Sequence, residues 1–250
     1  MAAAAVVPPQ EPAPLSEVQR LVDTFIAPSK TFIDLRRSAS WWAPFLLLAV
    51  VWLAFVYVVD QKIGFRKITE NQIEMVPKAA AQFEKMSPAE RNQQIEGRTK
   101  GSRYFAYGKS VLRLGWFAVI AAVLMATFKF GAGADLSFKT SFAIVVYASL
   151  PMVIKLLLGI AALLAGVSPD VYSPDNPIAS NPAYFMNPAD SLVHYSLAAP
   201  FDVFEIWILI LGGIGFTCVT KVKRSTALLG VFGWYVLLAL IGVGIAAAFS

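Results

Sequence analysis

The chain has 250 residues, of which 57 % are hydrophobic and only 15 % charged, with a mean hydropathy of +0.62. Soluble domains carry about a quarter charged residues, so this balance excludes an ordinary water-soluble domain and points to a membrane protein. The net charge of +5 is scattered between uncharged runs, which argues against nucleic-acid binding, and the single Cys218 and His194 exclude an internal disulfide, a Cys/His zinc cluster and a His-pair metal site.

In chain order, Met1 to Pro14 is Ala, Val and Pro without a leading basic residue, and Pro8, Pro9, Pro12 and Pro14 interrupt it. The expectation is a flexible, uncleaved tail and not a secretory signal. The rest of residues 1–40 is patterned. Leu15, Val18, Leu21, Val22, Phe25 and Ile26 share one helical face, Pro28 stops that helix, and Phe32, Ile33 and Leu35 start a second apolar face that ends in Arg36 and Arg37. Two amphipathic helices at the membrane surface account for this pattern, and so does packing on the protein's own loops. Phe25, Ile26, Phe32, Trp41 and Trp42 are the residues expected at the membrane interface.

A spanning helix needs about 20 mostly apolar residues. Five segments meet this requirement: 41–59, 110–128, 142–164, 201–220 and 225–249. Between the first two lies a polar loop, 60–109, with Ile73, Val76, Phe83 and Met86 at helical spacing. Ser87-Pro88-Ala89-Glu90 inside it reads as a helix start, since Ser87 can cap the third amide, Pro88 suits the first position and Glu90 can reach back. Residues 165–200 carry three Asn-Pro pairs and read as a loop without regular structure. The predicted fold class is therefore all-α: a polytopic membrane bundle of five transmembrane helices, N-terminal amphipathic helices and a helical extramembrane loop.

Lys and Arg near span ends set orientation. With the N-terminus inside, eight basic residues fall inside and seven outside, which is nearly a tie. The C-terminal half is clearer. The Asn-Pro loop has acids and no Lys or Arg, whereas the next turn holds Lys221, Lys223 and Arg224. The Asn-Pro loop is then outside and the N-terminus inside, with the basic 60–109 loop as the exception.

Charge within a span costs at least about 2.5–3.5 kcal/mol, which singles out Lys155, Glu205 and Asp202. From their depths, Lys155 is expected to pair with Glu205, shared with Asp202, pinning the third and fourth spans together. Pro151 removes an amide and predicts a kink, leaving the Tyr147 carbonyl available to a ligand on a sharper reading. Gly212, Gly213, Gly215, Gly230, Gly233, Gly242 and Gly244 predict close packing of the last two spans. Tyr104, Phe105, Tyr107 and Trp116, with Arg103, Lys109 and Arg113, form an aromatic and basic belt where the loop meets the second span. His194 reads as a loop residue and Cys218 as a small buried one. No P-loop, dinucleotide fingerprint, metalloprotease helix or catalytic triad is present, and no cofactor is expected.

Phe25-Ile26-Ala27-Pro28-Ser29-Lys30-Thr31-Phe32 followed by Trp41-Trp42-Ala43-Pro44 resembles the leading segment of bacterial Yip1-domain membrane proteins. Tyr147-Ala148-Ser149-Leu150-Pro151 resembles their third span, and Asn187-Pro188 with Phe201-Asp202-Val203-Phe204-Glu205-Ile206-Trp207 the approach to the fourth. The resemblance covers roughly Leu15 to Phe249. It implies five spans, a cytoplasmic N-terminus in a bacterial inner membrane, and no reaction. Eukaryotic relatives interact with small GTPases, a role that does not carry over to a bacterial cell. The expected function is a non-enzymatic scaffold whose partners are membrane lipids and other membrane proteins or further copies of itself. The alternative is a small transporter or channel using Lys155 and Glu205, against which stand the odd number of spans and the few polar positions within them.

Overall fold

The computed structural model describes residues 13–249. The tail expected over Met1 to Pro14 lies outside them up to residue 12. Eleven α-helices and two short 3-10 turns make up the regular structure, and no strand occurs among the described residues. The fold is an all-helical bundle.

Helices α1 (Glu17–Ile26) and α2 (Pro28–Asp34) form a tight hairpin. Ser16 caps α1 in a complete capping box with Gln19, and Pro28 occupies the first position of α2. The hairpin packs along a spanning helix and not on loops. The first crossing is α3 (Trp42–Lys62), followed by α4 (Phe65–Glu74) and α5 (Pro77–Glu84). Then comes α6 (Pro88–Ala132), 45 residues without a break. The Ser87 capping box forms as its sequence requires, with the Ser87 amide donating to Glu90 Oε2 at 2.9 Å. Because nothing interrupts the helix at residue 110, the second half of the 60–109 loop and the second span are one rod. It stops at Gly133, whose left-handed φ of 64° suits a residue without a Cβ.

The third span is two helices, α7 (Phe138–Ala148) and α8 (Pro151–Leu164). It is the centre of the bundle: 72 % of its apolar core is buried, against 6 % for the last helix. Pro151 starts α8, and the chain tightens around it so that Leu150 N donates to the Tyr147 carbonyl at 3.1 Å. The carbonyl expected to be free is therefore satisfied within the break.

The Asn-Pro segment is not devoid of regular structure. It contains 3-10 turns at Pro169–Val171 and Pro182–Phe185 and a helix, α9 (Leu192–Ala198), which Ser191 caps through the His194 amide. His194 is thus helical and not a loop residue. α9 is bent by 44° from α10 (Val203–Val219), which alone is only 17 residues long. The chain ends in α11 (Arg224–Phe249).

Among the described residues, four helical segments are each long and apolar enough to cross a bilayer, and the bent α9–α10 pair brings the number to five where it is taken as one span. Glycines let α10 approach its neighbours. A Cβ at Gly213 would overlap Leu228, and one at Gly215 would overlap Ile144 and Phe32. Gly230 likewise meets Phe128, but Gly233, Gly242 and Gly244 face open space, so among the α11 glycines close approach is seen only at Gly230.

Candidate functional site

Three neighbouring features combine chemistry with position: a buried ionic network, the α1–α2 hairpin, and a cleft between α6, α8 and α10.

The network is centred on Asp202, the N-cap of α10, which is 2 % exposed. Its Oδ1 accepts from the Phe204 and Glu205 amides at 2.9 and 3.3 Å. Its Oδ2 accepts from Lys155 Nζ at 2.8 Å, from Asn181 Nδ2 at 3.2 Å and from the Ser180 hydroxyl. The Ser180 carbonyl in turn accepts from Val203 N at 3.0 Å. Both oxygens are saturated by converging donors, the arrangement a buried carboxylate needs in order to stay charged. The Asn-Pro segment thereby plugs the break between α9 and α10, keeping irregular backbone within protein.

Lys155 therefore pairs with Asp202 and not with Glu205. The expected partner sits three residues into α10 and makes no ion pair with the Lys155 ammonium. A cap position accepts both helix amides and an external cation, which decided the contest for Asp202. Glu205 remains within electrostatic range of Lys155 and Arg113, yet among the described residues it has neither an ion pair nor a hydrogen-bonded carboxylate.

The hairpin has a polar interior. Arg20, 3 % exposed, holds Asp34 at 2.7 Å, and Tyr147 on α7 donates to Glu17 at 3.0 Å. The hydroxyls of Thr24 and Thr31 both donate to the Arg20 carbonyl, at 2.7 and 3.0 Å. Burial acts to lower the Arg20 pKa, but the hydrogen bond and charge of Asp34 outweigh it, so the guanidinium holds its proton more tightly than usual.

The apolar residues divide between two faces. Phe32 is wholly buried beside Gly215, Phe25 meets Trp207 edge-on at 5.8 Å, and Trp41 meets Phe142 at 5.0 Å. Of the five expected interface residues, these three are packing residues, while Ile26 and Trp42 are exposed. Val18, Val22, Ile26 and Ile33 face outward, and Lys30, Arg36 and Arg37 surround a cavity of about 640 Å³ at the hairpin base. The sequence periodicity located the helices but could not separate these faces, because both are apolar.

The third feature is a cleft of about 400 Å³ between α6, α8 and α10. Lys109, Arg113 and Glu205 line it together with Phe117, Met152 and Ile208. The Lys109 ammonium and the Arg113 guanidinium both lie over the Trp52 ring, at 5.0 and 4.9 Å from its centroid. Cations over an indole face are held by its quadrupole without losing their charge. Of the expected aromatic and basic belt, Phe105, Trp116, Lys109 and Arg113 line the cleft, whereas Arg103 pairs with Asp60 at 2.6 Å. Among the described residues, no cluster of His, Cys, Asp and Glu is arranged to hold a metal ion.

Repeated apolar helices long enough to cross a bilayer, with few charges inside them, define a multi-pass integral membrane protein. The Yip1 domain family model matches residues 22–246, and the chain belongs to that family. No curated protein and no solved structure matches the chain.

Proposed function

We propose that this protein is a non-enzymatic membrane scaffold that presents its α1–α2 hairpin to lipid and to other membrane proteins. The observation that carries this reading is the inversion of that hairpin. Arg20 and Asp34 are buried, whereas Val18, Val22, Ile26 and Ile33 face outward beside Lys30, Arg36 and Arg37. Such a surface suits an apolar phase bordered by anionic groups, which is what a bilayer interface offers. The N-terminus is cytoplasmic, and the membrane is a bacterial inner membrane.

A photoreactive residue at Ile26 in the full chain should crosslink to acyl chains or to a membrane protein in native membranes, whereas one at buried Phe32 should crosslink within the chain. Equal labelling of both by a water-soluble reagent would sink the proposal.

Transport is the second reading, favoured by the two broken helices that meet at Lys155 and Asp202. The saturation of Asp202 weighs against it, because a carrier site must release its ligands.

A further inference from the structure

Arg113 lies one helical turn beyond Lys109 on α6, within the apolar stretch of that helix. Lys109 is engaged with Asp175 at 3.5 Å, but among the described residues Arg113 has neither an ion pair nor a hydrogen bond. Glu205 lines the same cleft and is equally without a directly bonded partner, although the two charges interact electrostatically. Lys155, its other cationic neighbour, is committed to Asp202.

A cation and an anion that share a cleft at membrane depth, each half-buried and held apart from the other, remain costly until something bridges them. The cleft opens sideways between Phe105, Leu112 and Trp116, which are all exposed and fall on one face of α6. Its volume of about 400 Å³ is within the range of small-molecule sites, and its inner wall of Phe117, Ile120, Met152 and Ile208 is apolar.

We propose that this cleft binds a phospholipid whose headgroup carries both a phosphate and a primary ammonium, of the phosphatidylethanolamine type. The phosphate sits against Arg113 and Lys109, the ammonium donates to the Glu205 carboxylate, and an acyl chain follows Trp116 and Ile120. Guanidinium suits a phosphate oxygen pair, and a primary ammonium has protons to give a carboxylate where a quaternary one has none. The assignment names the lipid class within the lipid-binding part of the scaffold reading. It is tested separately, because crosslinking at Ile26 does not involve the cleft.

The full-length protein, extracted from vesicles of equal phosphatidylethanolamine, phosphatidylglycerol and phosphatidylcholine, is analysed for retained lipid by native mass spectrometry. The expected result is retention of phosphatidylethanolamine about tenfold above phosphatidylcholine, one good charge-assisted bond being worth about that factor. Arg113→Gln should remove the retained lipid, and Arg113→Lys should keep part of it. Glu205→Gln should move the preference to phosphatidylglycerol, which needs the cation alone. That last variant keeps the test decisive if Arg113→Gln fails to fold. Equal retention of phosphatidylcholine, retention unaffected by Glu205→Gln, no retained lipid, or displacement by chain-free glycerophosphoethanolamine would each overturn the assignment.

Discussion

At the scale of single residues, the intramembrane charges show what sequence can and cannot say. That Lys155 needs a carboxylate from the fourth span follows from the cost of an unpaired ammonium. Which carboxylate it takes depends on capping geometry and on Ser180 and Asn181, residues of a segment whose course no periodicity describes. Lys155→Met or Asp202→Asn alone should lower stability by about 3–5 kcal/mol, since each strands a buried group. The double variant should recover much of this, with a coupling of about 0.5–3 kcal/mol in a detergent unfolding cycle. Glu205→Gln should cost little by comparison, and a loss equal to that of Asp202→Asn would contradict the pairing. Outside the membrane, the Ser87 hydroxyl and then the Ser87 amide hold the Glu90 carboxyl below the usual carboxylate range. The charged form is favoured in the folded helix, so this cap contributes above the ordinary glutamate value and fades as pH falls through the lowered one. An NMR titration of Glu90 should show the lowered midpoint, and Ser87→Ala should return it toward normal.

At the scale of elements, hydropathy locates the apolar helices, with bounds close to those of α3 and α11 but far from those of α6. The 60–109 loop and the 110–128 span divide where polarity changes, yet α6 runs through that point, because backbone hydrogen bonding is indifferent to which solvent the side chains meet. Spin labels at Gln94 and Val119 should therefore lie about 38 Å apart along the axis, at 1.5 Å per residue, with a narrow distribution. A flexible joint at the membrane boundary would shorten and broaden it. The segment 201–220 matches α10 with its Asp202 cap, but α9 and the 44° bend that joins it to α10 lie in the stretch expected to lack regular structure. In the third span Pro151 begins α8 just after the break from α7, whereas the closure of the Tyr147 carbonyl depends on a local tightening that the proline alone does not announce.

At the scale of the whole molecule, two segments that the sequence treats as separate loops are joined by charge. The basic 60–109 loop and the acidic Asn-Pro segment lie on one side and neutralise each other through Lys67–Asp170 at 2.7 Å and Lys109–Asp175 at 3.5 Å. Asn71 joins them as well, donating to the Pro169 and Tyr172 carbonyls at 2.8 and 3.3 Å. Cysteines at Gln94 and Ala179, both exposed, should be labelled together by an impermeant thiol reagent in intact cells, with one at Ser225 labelled only after lysis. Labelling of Gln94 with Ser225 would separate the two loops and break this arrangement. The Lys155–Asp202 bond also carries a consequence in time. Its partners are 47 residues apart in the chain, so at about 5–20 residues per second a ribosome delivers Asp202 roughly 2–10 s after Lys155. Throughout that interval the ammonium has no carboxylate to meet, and the third span cannot settle at its final depth until the fourth arrives, so biogenesis must release the two into the lipid as a pair.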